Sequence, residues 1–127
     1  MSRRGWRILL ADDDVIAQEA VSYAAAKAGH AVTAATTGAQ ALELAVSMQP
    51  DLIVLDIGFP DADGRDVLAK LKADKRTARI PVLVWSGRNV NESDSRIALA
   101  LGAEDYVEKN NAHMLIQKLE RVLLRFA

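Results

Sequence analysis

Short, wholly apolar runs alternate along this chain with longer segments of helical character. Leu52-Ile53-Val54-Leu55 is apolar at every position, as expected of a parallel strand covered on both faces. Ile8-Leu9-Leu10-Ala11 has the same character, and Arg7–Ala11 is predicted as the first strand. An alanine-rich helix over Val15–Ala28 follows, with Asp14 as its N-cap and Gly29 as its stop. His30–Ala35 is a short second strand. Thr37-Gly38-Ala39-Gln40 has the spacing of a capping box and opens a helix through Met48, stopped by Pro50. Leu52–Leu55 is the third strand and Gly64–Lys75 the third helix. Ile80–Trp85 is the fourth strand, with Pro81 near its start, where a missing N–H is tolerated. Asn91–Leu101 forms a fourth helix closed by Gly102, Asp105–Glu108 a fifth strand and Ala112–Arg125 a fifth helix. Five βα units with short connections predict an α/β fold: a parallel sheet with helices on both faces and right-handed crossovers.

The strand ends carry the chemistry. The third strand stops abruptly at Asp56, followed by the turn formers Gly58-Phe59-Pro60 and Asp61-Ala62-Asp63-Gly64. The first stops at Asp12-Asp13-Asp14. Ligands of open α/β sheets bind beyond the carboxyl ends of the strands. Carboxylates converging there repel each other, so either their pKa values rise or a cation neutralises them. Oxygen-only ligands favour Mg²⁺, which keeps waters and uses few carboxylates beside phosphate oxygens. The pattern points to a divalent cation and phosphoryl chemistry.

Composition narrows the classes. At 127 residues the chain is expected to be one domain over residues 1–127, half apolar and a quarter charged. A net charge of −1 gives no reason to expect nucleic acid or a membrane surface as partner. There is no cysteine, which excludes disulfides and thiolate metal sites. No apolar run approaches the roughly 20 residues of a membrane span, and no signal peptide opens the sequence, so a cytoplasmic location is expected. His30 and His113 lack partner spacing for metal or catalysis and are read as solvated.

Five motifs in order at successive strand ends resemble the receiver domains of two-component response regulators, including stand-alone chemotaxis-type regulators. They are Asp12-Asp13, Asp56, Asp63-Gly64, Ser86 and Lys109, and the resemblance spans almost the whole chain. It implies a doubly wound, flavodoxin-like (βα)5 sheet of order 2-1-3-4-5. Asp56 would be the phosphoacceptor, taking a phosphoryl group from a histidine kinase or histidine phosphotransfer protein. Mg²⁺ would be bound by Asp13, by the Asp56 carboxylate and by the Gly58 carbonyl, with Asp12 acting largely through water. Lys109 would supply a compact positive charge, and the Ser86 hydroxyl and Gly87 N–H would donate to phosphoryl oxygens. Ser86 and Tyr106 would form the switch. Such a protein is no enzyme beyond its own phosphorylation and slow hydrolysis.

The chain also departs from the family pattern. Asn110 follows Lys109 where proline is usual, which leaves the isomer of that peptide open and predicts a mobile loop. Phe59 replaces the usual methionine, Arg88 stands at the rim, and Trp85 is read as core packing. The last helix looks more apolar than one buried stripe requires. Leu115, Leu119, Val122 and Phe126 are assigned to the core; Met114, Ile116, Leu123 and Leu124, with Ala98 and Leu99, are left over. That surplus predicts a face of fourth helix, fifth strand and fifth helix for a downstream protein target or a homodimer. Other readings remain: a degenerate receiver serving as a constitutive binding module, a receiver excised from a hybrid kinase or longer regulator, or an aspartyl phosphatase or phosphomutase. The last lacks the second aspartate usual two residues after the nucleophile, where Gly58 stands.

Overall fold

A computed structural model describes residues 5–57, 61, 63–87 and 92–126, with the side chains of 92–95 left aside. Five strands, β1 (Arg7–Ala11), β2 (Ala31–Ala35), β3 (Leu52–Leu55), β4 (Val82–Ser86) and β5 (Asp105–Glu108), alternate with five helices. The helices are α1 (Val15–Lys27), α2 (Gly38–Met48), α3 (Gly64–Ala73), α4 (Glu92–Ala100) and α5 (Ala112–Phe126). The sheet is parallel throughout, in the order β2-β1-β3-β4-β5. This is the flavodoxin-like order that the resemblance implies.

Alternation along the strands builds two cores. Ile8, Leu10, Leu52, Val54, Leu83 and Trp85 face α1 and α5, where Val21, Leu115, Leu119 and Val122 meet them. Leu9, Ala11, Ile53, Leu55, Val82 and Val84 face the opposite layer, against Ala41, Ala45, Val67, Leu68, Leu71 and Ala98. β1 beyond Arg7 and the whole of β3 and β4 are therefore buried on both sides, and each fully buried leucine or isoleucine contributes about 1.5–3 kcal/mol.

Caps place the helix starts. Asp14 accepts the N–H groups of Ile16 and Ala17, and Thr37 accepts that of Gln40. Gln40 reaches back, but to the N–H of Thr36 rather than Thr37, so the box is offset by one residue. Asn111 caps α5 through the N–H of Met114.

Several boundaries differ from the sequence expectation, each for a local reason. α1 ends one residue early, at Lys27, because Gly29 turns the chain at φ 91°. α3 stops at Ala73 because Asp74 turns extended and its carboxylate captures the N–H of Arg76, opening a new turn. β4 starts at Val82, beyond Pro81, and includes Ser86. α4 begins at Glu92; the expected start, Asn91, lies outside the described residues.

His30 is a clear correction. Rather than solvated, it is buried, and β2 begins only after it. Its Nδ1 accepts the N–H of Trp6, so Nε2 carries the proton and donates to Glu120 of α5 at 2.7 Å. The surplus on α5 is also smaller than expected. Ile116, Leu123 and Ala98 are buried, whereas Phe126 is half exposed; Ile97, Leu99, Met114 and Leu124 remain at the surface. Val15, Ile16 and Tyr23 of α1 are also exposed.

Candidate functional site

β1, β3, β4 and β5 end at the same edge of the sheet. Alternation decides which side chains meet there. Asp12 continues the phase of Ile8 and Leu10, Asp56 that of Leu52 and Val54, and Trp85 that of Leu83. Lys109 lies two residues beyond Val107, which packs against the same core. All four side chains consequently belong to the α1–α5 layer.

Among the described residues one group of carboxylates can share a metal ion: Asp12, Asp13 and Asp56, each offering an oxygen within 4.8 Å of the others. Asp12 is fully buried, Asp56 nearly so and Asp13 exposed. The donor set is all oxygen and strongly anionic, which fits Mg²⁺ rather than a softer metal. The Lys109 ammonium bridges two of the three, 2.7 Å from Asp12 Oδ2 and 3.1 Å from Asp56 Oδ2. Burial alone would lower the lysine's pKa. The hydrogen bond to Asp12 and the charge of Asp56 outweigh it and hold Lys109 above the usual lysine range.

The backbone fixes this arrangement. The N–H of Asp56 donates to Ala11 O at 2.9 Å and that of Asp12 to Ala35 O at 2.9 Å. The N–H of Lys109 donates to Ser86 O at 2.8 Å, extending the β4–β5 pairing to the lysine. No peptide bond among the described residues is cis, so Lys109–Asn110 is trans.

Ser86 and Tyr106 fall in the other phase. Ser86 continues Val82 and Val84 and is buried at the end of β4. Tyr106 packs against the core that contains Val84, Ala98 and Ala103, with its hydroxyl buried. The expected switch pair thus sits in the α4 layer, across the sheet from Trp85. Gly58, Phe59 and Arg88, also singled out by sequence, lie outside the described residues.

Three features escaped the sequence reading. The indole N–H of Trp85 donates to Asp12 Oδ2 at 3.1 Å, so this residue is more than core filler. The signal was available: a buried indole N–H needs an acceptor, and Trp85 shares the phase of Asp12. Gln18 of α1 donates to the Asp12 carbonyl at 2.6 Å. Asp61, in the loop after Asp56, accepts the N–H groups of Gly38 and Ala39 and so ties that loop to the start of α2. Its pKa is lowered, chiefly by the Gly38 bond.

Gly64 marks a tight backbone approach beside the site. A Cβ there would lie 2.6 Å from the carbonyl oxygens of Asp56 and Ile57 and against Ile57 Cα, while the Gly64 N–H donates to Ile57 O. Asp63 beside it caps α3, and its carboxylate is held below its ordinary pKa by the hydrogen bond from the Arg65 guanidinium.

Known proteins share this plan. The sequence matches the response regulator receiver domain profile over residues 8–120. It is 41% identical over 103 residues to the DNA-binding dual master transcriptional regulator RpaA of Synechocystis, covering 81% of this chain and 42% of that protein. It is 33% identical over 123 residues to the phosphate regulon transcriptional regulatory protein PhoB of Pseudomonas aeruginosa, covering 95% and 53%. The chain spans about half the length of these curated relatives. A crystal structure of a response regulator from Desulfuromonas acetoxidans superposes with a TM-score of 0.86 at 31% identity, covering 96% of this chain and 99% of that one. With a parallel 2-1-3-4-5 sheet, acidic strand ends and a profile match over most of its length, the chain belongs to the response regulator receiver domain family.

Proposed function

We propose that this chain is a phosphoacceptor switch of a two-component relay, with Asp56 as the residue that takes the phosphoryl group. The observation that carries the reading is the Lys109 ammonium lodged between Asp12 and Asp56 at the rim of the carboxylate group. A nucleophile, a fixed cation and a set of oxygen ligands at one sheet edge are the parts phosphoryl transfer needs. An Asp56 carboxylate oxygen would attack phosphorus as the bond to the donor's histidine nitrogen breaks, leaving an acyl phosphate on Asp56. Asp13 and Asp56 would hold Mg²⁺, with the Gly58 carbonyl completing the protein ligands and Asp12 acting through water. When bound, the ion would neutralise part of the phosphoryl charge. Lys109 would then follow the new negative charge, and Ser86 would donate to a phosphoryl oxygen.

The donor would be a histidine kinase or a histidine phosphotransfer protein. Exposed Val15 and Ile16, directly after the acidic Asp12–Asp14 run, offer an apolar rim where such a partner could seat. Output would pass through the α4–β5–α5 face to a downstream protein target or a second copy. The ion pairs of Lys109 weigh against a degenerate receiver. The coverage of curated relatives favours the same unit serving within longer regulators.

The test is direct. Incubated with Mg²⁺ and acetyl phosphate, the protein should gain one phosphoryl group in intact mass, and Asp13→Ala should lose Mg²⁺ binding. A chain that remains unmodified, or an Asp13 variant with an unchanged Mg²⁺ titration, would overturn the corresponding half of the reading.

Ser86→Ala should separate acceptance from response. Because Ser86 and Tyr106 share the α4 layer, the variant should still be phosphorylated but lose most amide shifts on α4, β5 and α5. If those shifts persist undiminished, the hydroxyl is not the coupling element.

A further inference from the structure

The three carboxylates of the site are not equally available to an ion. Asp12 has its oxygens committed: Oδ1 accepts the N–H of Asp14 at 2.9 Å, and Oδ2 accepts both the Trp85 indole at 3.1 Å and the Lys109 ammonium at 2.7 Å. Its main chain is held as well, by Gln18 and by Ala35. Asp13 is exposed. Of the three donors on the Asp12 carboxylate, Asp14 contributes backbone that any residue would supply, and the lysine can move with a new charge. Trp85 is the immobile one. Its ring is almost wholly buried in the core formed with α1 and α5, and the Lys109 ammonium lies 6.0 Å from its centroid.

We infer that Trp85 is a positioning residue that pins Asp12 outside the direct coordination shell and thereby sets the cation preference of the site. The inference rests on the phosphoacceptor reading above. Mg²⁺ demands strict octahedral geometry, keeps several waters and needs few carboxylates, so it profits from an Asp12 oriented to accept from bound water. Ca²⁺ takes six to eight oxygens in flexible geometry and would gain from an Asp12 free to swing inward. An indole N–H that holds Oδ2 favours the first case. Groups that orient a metal's ligands from behind commonly change affinity by about 10–100-fold when removed.

The experiment measures Mg²⁺ and Ca²⁺ affinities of wild type and Trp85→Phe by calorimetry, beside ¹⁵N spectra of the two indole N–H groups. Trp85→Phe keeps a buried aromatic ring and removes the indole N–H donor together with part of the ring volume. Its preference should move about tenfold toward Ca²⁺, with Mg²⁺ binding weakened. In otherwise wild-type protein, Asp12→Asn should move the Trp85 indole proton upfield and leave that of Trp6, at the other end of the sheet, in place. A general loosening of the site would weaken both ions by the same factor, so an unmoved Ca²⁺ to Mg²⁺ ratio overturns the inference. Should Trp85→Phe fail to fold, the indole decides: no displacement in Asp12→Asn overturns it equally. Wild type that binds neither ion removes the phosphoacceptor reading and this inference together, whereas wild-type Mg²⁺ binding with an unmoved ratio removes the inference alone.

Discussion

Asp56→Asn is expected to abolish the acyl phosphate, whether the donor is acetyl phosphate or a phosphorylated histidine protein. The amide has the shape of the carboxylate but no anionic oxygen to attack phosphorus, and no side chain of the same strand can replace it. Asp12 and Asp13 follow β1, and Asp12 has its oxygens occupied by Trp85, Lys109 and the Asp14 backbone. The loss should be chemical and not structural. Asp56 contributes one of two carboxylates to Lys109, and Asp12 remains at 2.7 Å. Removing one charge from a cluster of three also relieves repulsion. The thermal midpoint should therefore stay within a few degrees of wild type while the mass adduct disappears. An adduct of undiminished yield on the variant would sink the assignment of Asp56.

Gly64→Ala should produce the largest loss of stability for the smallest change in atoms. The new methyl group would meet the carbonyl oxygens of Asp56 and Ile57 at 2.6 Å, which is well inside van der Waals contact. These are backbone atoms pinned by the hydrogen bonds of Asp56 to Ala11 and of Gly64 to Ile57, so they cannot step aside as a flexible side chain would. Overpacking of this kind costs about 1–3 kcal/mol, which for a chain of this size lowers the midpoint by about 5–15 °C. The displaced atoms are those that follow Asp56 directly, so adduct formation should slow as well. Gly87→Ala is the control for stability. A Cβ there meets nothing within 4 Å, and its midpoint should not move. Calorimetric scans of both variants decide the matter, and equal midpoints would mean the Gly64 contact relaxes freely.

The architecture was legible because strands buried on both faces have little freedom in composition. β1, β3 and β4 could be read from Ile8–Ala11, Leu52–Leu55 and Ile80–Trp85, the last with its start two residues too early. Helix starts were legible where a cap lies one residue away, as with Asp14 and Thr37. The grouping of Asp12, Asp13 and Asp56 followed from strand ends in a parallel sheet, since such ends converge, whereas Lys109 entered only through the family resemblance. What the sequence concealed depends on partners distant along the chain. His30 looks like any polar residue opening a strand until Glu120, 90 residues later, is brought against it. Asp61 reads as a turn residue because the α2 N–H groups it caps lie 22 and 23 residues away. Phe126 keeps the phase of the α5 stripe, yet it extends beyond Leu123 to the end of the sheet. There it borders a cleft with Trp6 and Pro81 and finds less to cover it.

The division of labour between α1 and α5 has a consequence for synthesis. On their side of the sheet α1 offers mainly small residues, Ala17, Val21 and Ala25, while α5 supplies Leu115, Ile116, Leu119, Val122 and Leu123. A nascent chain that has already paired all five strands still lacks most of the bulk of that core. Its central strands would leave Ile8, Leu10, Val54 and Leu83 bare to water or to chaperones until α5 arrives. The α2–α3 layer, whose leucines come earlier in the sequence, can close without α5. A fragment ending before Ala112 should therefore hold a half-roofed sheet, sticky on one face only, until α5 is supplied.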